Sequence, residues 1–232
     1  MPTWLTPARR RGVEMLDDPA TGDDVRRRAM EDVARSNVLF GGSRAAARAV
    51  LRVLGEDRPA LALDLGTGTA DIPARLGKRL PGLTVIALDV SVSLLRMAGS
   101  RVAAVVAGNA LQLPLKNDSV DIVICSQLLH HFEEREALTL VREAHRVARE
   151  WVVISDLRRS WFAAAGFRIA STALRFHPVT RHDGVVSVLR GFTAAELRAL
   201  IRRAVGADAS IERRAFWRLV AVWAKSTPRP PA

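Results

Sequence analysis

From residue 60 onward, short apolar runs alternate with segments whose hydrophobic residues recur at helical spacing. The runs fall at 61–65, 84–88, 102–106, 120–125 and 151–155. Each is nearly continuous in Val, Ile, Leu and Ala, the pattern of a strand buried on both faces. This alternation predicts an α/β fold with a parallel sheet, helices on both faces, and right-handed crossovers that bring the strands' carboxyl ends to one edge. Ligands bind at that edge in such folds. Residues 215–225 read as a terminal strand, preceded by a weaker one at 209–213.

Upstream, residues 1–57 read as a helical cover. Asp23 and Asp24 start one predicted helix. Ser43 is the expected N-cap of a second, whose Ala47, Val50, Leu51 and Leu54 share a face and whose stop is Gly55. Residues 37–42 between them, Phe40 included, read as a bend. Residues 58–225 form the core, with a lid inserted at about 158–192, and the proline-rich 226–232 is an expected disordered tail. Within the lid, Phe162, Ala165, Gly166, Ile169, Ala173 and Phe176 fall on one helical face, read as a cap over an apolar pocket, with a membrane-surface role as the lesser reading. The polar run 177–190 reads as a connection with converging polar groups. Thr193 and Glu196 then form a capping box for a helix carrying Leu197, Leu200, Ile201 and Ala204.

The chemistry sits where the apolar runs end. The first ends in Asp64 and flows into Gly66-Thr67-Gly68. Glycines there allow positive φ and close approach of a ligand to backbone amides. The second run ends in Asp89, about 25 residues further on, a carboxylate suited to accept from two ribose hydroxyls. A dinucleotide fingerprint would need a third glycine, whereas this chain has Ala70 and then Asp71, whose charge repels a phosphate.

The segments 64–71, Asp89, Gly108-Asn109-Ala110 and 121–131 resemble, in order and spacing, the successive motifs of class I S-adenosylmethionine-dependent methyltransferases of the small-molecule type. The resemblance covers about residues 35 to 157. It implies a doubly wound, Rossmann-like, mostly parallel seven-stranded sheet whose last strand inserts antiparallel. It also implies S-adenosylmethionine as cofactor: Asp64, Gly66 and Gly68 beside its methionine part, Asp89 on the ribose, and Asn109 with Ala110 bordering adenine. Thr67, Val90, Leu111 and Ser126 complete the expected cofactor set. Ala70 stands where the family often has glycine, and Asn109 where it commonly has aspartate; an Asn carbonyl still accepts a hydrogen bond from an amino group.

Composition narrows the function. The 232 residues, 49% hydrophobic, can bury one substantial core. The single cysteine, Cys125, lies inside an apolar run and reads as a small buried thiol. The N-terminus lacks the apolar core of a secretory signal and no stretch is long enough to span a membrane, so a cytoplasmic monomer or homodimer is expected. A net charge of +11 raises an RNA methyltransferase as the first alternative. The arginines, however, are spread in pairs along the chain, and Ser126-Gln-Leu-Leu-His130 replaces the Asn/Asp-Pro-Pro-aromatic turn of amino-directed nucleic-acid enzymes. The second alternative is a cofactor-binding protein without methyl transfer. The favoured acceptor is a small, partly apolar molecule methylated on oxygen or carbon, such as a phenolic or polyketide-like metabolite.

A hydroxyl acceptor calls for a base. His130 and His131 follow the fourth run at the ligand edge, and His182 adjoins Asp183 in the lid; His131 and His182 are the candidate catalytic residues. Trp161, His177, Arg181 and Arg190, with Phe40, are the candidate substrate contacts. No His, Asp and Glu cluster with metal-ligand spacing is visible in the sequence, so no metal is expected.

Overall fold

The computed structural model describes residues 6–225 apart from 11, 13, 19, 56 and 57; the expected tail at 226–232 lies outside the described residues. Among those described, seven strands form one sheet in the order β3-β2-β1-β4-β5-β7-β6. They are β1 (Ala60–Leu65), β2 (Leu83–Asp89), β3 (Ala104–Ala107), β4 (Val120–Ser126), β5 (Ala148–Leu157), β6 (Ser210–Arg214) and β7 (Arg218–Ala224). Strands β1 to β5 run parallel, β7 pairs antiparallel with β5, and β6 antiparallel with β7. The expected mostly parallel, doubly wound sheet is present.

Strand periodicity sorts side chains onto the two faces. Leu63, Leu65, Val123, Val152 and Ile154 pack with α5 (Glu134–Val147) and α8 (Ala194–Val205). Ala62, Ile122, Ile124, Val153 and Val220 pack with α2 (Gly42–Leu54) and α3 (Asp71–Gly77). Each central strand thus contributes to both cores, which is why its sequence is continuously apolar. Cys125 is buried on the first face, where burial pushes its thiol well above the ordinary value and leaves it a packing group.

Three local readings are corrected. Helix α1 (Asp23–Leu39) runs through most of the expected bend, leaving the turn to Phe40 and Gly41. Ser43 does not cap α2: Gly41, at φ 68°, is the N-cap and Ser43 lies inside the first turn with its hydroxyl buried and unpartnered. The lid is two helices, α6 (Trp161–Ala173) and α7 (Pro178–Arg190), so the polar run 177–190 is a helix. Pro178 opens it at the first helical position and the His177 ring nitrogen accepts from Val179 N, a start that an eye set on polar loops overlooks. The two helices touch closely: a Cβ on Gly184 would stand 2.0 Å from Phe167 Cε1.

The N-terminal part is strapped across this lid by buried polar groups. Asp183 accepts from Met15 N and Leu16 N, both at 2.9 Å, and Asp32 of α1 accepts from His177 N at 2.6 Å. Buried Arg159 donates to Pro7 O and Gly191 O. Strap, lid and sheet edge together enclose a chamber.

Candidate functional site

The chamber, about 1050 Å³, runs from the glycine turn after β1 to the lid. Its floor is the carboxyl edge of β1, β2 and β4. Gly66 N and Thr67 N donate to Leu88 O at 2.8 and 3.1 Å, pinning the turn to β2. Gly66 and Gly68 both have positive φ, and a Cβ on Gly68 would meet nothing within 4 Å, so the backbone there faces open space. Ala70 takes φ 58°, a left-handed conformation that glycine adopts without strain; the position at which the resembling family often carries glycine is one whose backbone calls for it.

Two carboxylates flank the turn. Asp64 is buried and accepts from Thr67 Oγ1 at 2.8 Å. Asp89 accepts from Gly68 N at 3.0 Å and Ser91 N at 2.9 Å, with lone pairs left over on both oxygens. Burial, helped by the nearby Asp89 charge and opposed by the Thr67 hydrogen bond, pushes Asp64 up to about 7. Because its value lies above that of an unfolded aspartate, ionising Asp64 works against the fold: nothing is lost below about pH 4, the loss grows as pH rises to about 7, and it then levels off. A cationic ligand would pull the proton off. Binding of such a ligand at pH 6 to 7 is therefore expected to release up to about one proton, read as a dependence of calorimetric enthalpy on buffer ionisation, and Asp64→Asn should abolish that dependence.

Further along the edge, Asn109 Oδ1 accepts from Leu111 N at 2.9 Å, closing a turn that sets Asn109, Ala110 and Leu111 on the chamber wall. Val90, 74% exposed, stands uncovered beside them. Ser126 at the end of β4 lines the chamber with its hydroxyl buried and without a partner. All ten residues expected in the cofactor set line this one space.

At the other end lies a cluster of titratable groups that the sequence showed only in part. His130, in the 3-10 turn Leu129–His131, is buried, with Nδ1 2.6 Å from Asp156 Oδ1 and its backbone N donating to Asp156 Oδ2 at 3.0 Å. Leu157 N also donates to Asp156. Burial alone would raise this carboxyl, but the His130 charge and hydrogen bond and the Leu157 N–H outweigh it and hold Asp156 below the usual range. Glu14 Oε1 stands 4.0 Å from His130 Nε2 and 3.9 Å from His131 Nδ1. The expectation of no metal-type cluster is thereby corrected: Glu14, His130 and His131 bring ligand atoms within 4.8 Å of one another, across a sequence gap no spacing rule spans. The same carboxylate accepts from Ser187 Oγ at 2.7 Å and has Arg190 Nη1 at 3.6 Å. That guanidinium supplies the positive charge a metal ion would bring.

Of the candidate bases, His131 lines the chamber, whereas His182, half exposed and bonded to Asp183 Oδ1 at 2.9 Å, is not among the described residues that do. Of the substrate candidates, Phe40 lines it, its ring 5.8 Å from Phe167 and 6.0 Å from Phe216. The others are corrected. His177 caps α7, Arg190 holds the carbonyls of His130 and His131, and Trp161 lies on the surface beneath the Arg10 guanidinium; these and Arg181 are outside the lining, because the run that carries three of them is a helix whose inner face belongs to Thr180, Asp183, Gly184, Ser187 and Val188. Sequence reading missed Asp156, whose only signal was an acid closing the fifth apolar run, and Phe167 and Glu14, which had none.

Arg218 was also missed. It is buried at the start of β7 on the chamber wall, donates Nη1–H to Gln127 Oε1 at 2.6 Å, and leaves Nε unpartnered. Burial lowers it to about 10, with Asp156 pulling the other way. Among the described residues no carboxylate forms a salt bridge with it. Arg218→Met removes a buried charge that has no salt bridge among the described residues, and is expected to leave the ligand-free protein at least as stable, which a calorimetric melt would record as an unchanged or raised Tm. A fall in Tm would mean the charge is satisfied within the fold.

Residues 62–150 match the family described as "Methyltransferase domain". An uncharacterized methyltransferase of Mycobacterium tuberculosis is 28% identical over 170 residues, 69% of this chain and 85% of that one. A protein of Thermotoga maritima named demethylmenaquinone methyltransferase is 28% identical over 120 residues, 51% of this chain and 52% of that one. The chain spans about half the length, or less, of the other curated relatives as well, apart from the mycobacterial ones. In fold it is similar to magnesium protoporphyrin IX methyltransferase of Synechocystis crystallised with S-adenosylhomocysteine, with a TM-score of 0.62 and 18% identity over 89% of this chain and 95% of that one.

Proposed function

We propose that this chain, whose residues 62–150 match a methyltransferase domain, is a class I S-adenosylmethionine-dependent methyltransferase that methylates a small, partly apolar acceptor held between the sheet edge and the α6–α7 lid. The observation that carries this reading is the pair of carboxylates, Asp64 and Asp89, opening beside a glycine backbone into a chamber whose far end is aromatic and holds a buried histidine. The residues fit the cofactor. Two acids favour a cation, the unpartnered Ser126 hydroxyl awaits a polar group, Gly68 leaves its approach open, and exposed Val90 offers apolar surface to a purine.

When bound, S-adenosylmethionine supplies a methyl group on a sulfonium, which leaves as neutral thioether, so alignment and dryness matter more than leaving-group assistance. Asp89 would hold the ribose hydroxyls, Asp64 the positively charged methionine end, and Asn109 with Ala110 the adenine border. Phe40, Phe167 and Leu128 shape an apolar acceptor space that excludes water. His130 replaces His131 as the favoured base: with Nδ1–H donated to Asp156, its Nε2 lone pair is free to take a proton from an acceptor hydroxyl, and Glu14 lies within 4.0 Å of that nitrogen. Arg218 would face the oxyanion that forms.

An apolar acceptor is supported by the lining and by the demethylmenaquinone methyltransferase name that several relatives share. The test is incubation with methyl-labelled S-adenosylmethionine and a whole-cell extract, followed by separation into organic-soluble molecules, RNA and protein. Label in the organic fraction is the expected result; label in RNA would move the assignment to the nucleic-acid alternative, and S-adenosylhomocysteine binding with no labelled product would favour the non-catalytic one.

A further inference from the structure

The outer face of α6 belongs to neither core nor chamber. Of the lid face predicted to cap the pocket, Gly166 does line the chamber and Phe176, beyond the end of α6, is buried, but Phe162 (53% exposed) and Ile169 (71%) are turned outward, where Trp161 (43%) and Leu174 (38%) join them. The contacts inward are made instead by Ala163, Ala164 and Phe167. A helix apolar on both sides calls for a partner on both sides, and among the described residues nothing covers the outer one. The surroundings say what kind. From residue 157 to 182 the chain has no Asp or Glu, while of its five arginines Arg159 is buried and paired with Glu196. Arg168 and Arg175 are exposed beside the apolar stripe, and Arg10 lies 5.4 Å over the Trp161 ring.

We propose that α6 docks this protein on an anionic lipid surface, lying in the interface with Trp161, Phe162 and Ile169 among the acyl chains and Arg168 and Arg175 among the phosphates. Among the described residues no helix is long and apolar enough to cross a membrane, so the contact is with one leaflet. A second copy of the chain fits worse, since self-pairing would set arginines against arginines on a protein of net charge +11. The docked helix is also the chamber's roof, with Ala163, Gly166 and Phe167 on its inner side. Docking would therefore hold the chamber against the leaflet in which apolar molecules dissolve, with α6 between the two; this part alone rests on the methyl-transfer reading.

Co-sedimentation tests it, with vesicles of phosphatidylglycerol mixed into phosphatidylcholine against vesicles of phosphatidylcholine alone. The wild type should pellet with the acidic vesicles and be released by salt. Phe162→Ser/Ile169→Ser and, separately, Arg168→Glu/Arg175→Glu should each lower the partition constant by about tenfold or more. Both variants should keep S-adenosylhomocysteine affinity by calorimetry, which shows that they fold. A wild type that stays in solution, or a Phe162→Ser/Ile169→Ser variant that pellets undiminished, overturns the proposal. So does a wild-type dimer that this variant dissociates, which would make the face an interface between copies. Failure to bind S-adenosylhomocysteine at all would sink the cofactor reading and leave the vesicle result standing.

Discussion

Asp89→Ala is expected to weaken S-adenosylhomocysteine binding by about a hundredfold or more. Hydrogen bonds to a charged acceptor contribute about 1.5–3 kcal/mol each, and the substitution removes two prospective ones to a ribose. It also frees Gly68 N and Ser91 N, which Asp89 now holds at 3.0 and 2.9 Å, so the turn loses one of its ties to β2's end and keeps those of Gly66 N and Thr67 N to Leu88 O. Asp89→Asn should be nearly as damaging: both carboxylate oxygens face backbone N–H donors, and the amide NH2 must be set against one of them. Calorimetric titration of both variants, with circular dichroism to confirm folding, checks this. An affinity within threefold of wild type for Asp89→Ala would remove the ribose role.

The second large effect is expected at His130. His130→Ala should lower turnover of the labelled acceptor by about a hundredfold or more while cofactor affinity stays near wild type, because a general base contributes to the transition state alone. Asp156 acts through His130 as a positioning residue. Its Oδ1 faces both His130 Nδ1 and Leu157 N, and its Oδ2 faces His130 N. In Asp156→Asn, an NH2 at the first position forces Nδ1 to accept and puts the proton on Nε2, where a base must be bare; at the second it meets a backbone donor. Turnover should fall and the acidic limb of its pH profile should move to lower pH, because the imidazolium loses its carboxylate partner, which a purely structural loss would not produce. Stability has its own sign. Asp156 lies below the ordinary carboxyl value, so its ionised form supports the fold above about pH 4, and that support fades as pH falls through its lowered value. The stability gap between wild type and Asp156→Asn should therefore narrow in acid. Equal turnover in His130→Ala and wild type would remove the base, and a loss confined to His131→Ala would restore the alternative.

Much of the core was legible because its signals are local. The run at 120–125 became Val120–Ser126 and that at 84–88 became Leu83–Asp89, since strands buried on both faces admit few polar residues. Gly55 ends α2 at φ 74° and Thr193 caps α8 by a reciprocal box, both of which depend on a few adjacent residues. The lid resisted. Its helical period was correct, yet Phe162 and Ile169 turned outward, because a period fixes which residues share a face and not which way the face looks. His177 to Arg190 misled through polarity: Asp183 and Thr180 are buried polar groups of a helix whose partners, in the N-terminal strap and α1, are more than a hundred residues away.

By itself, then, the sequence determined where the strands lie along the chain, the glycine turn and the acids that end β1 and β2, because strand periodicity and glycine's freedom at positive φ act within a few residues. Only the tertiary structure decided that Glu14 meets His130 and His131, that Asp156 rather than Asp183 holds a chamber histidine, and that α6 shows its larger side chains to the outside. Those outcomes depend on how distant segments close over the sheet edge, where burial of one face is settled by competition among all of them.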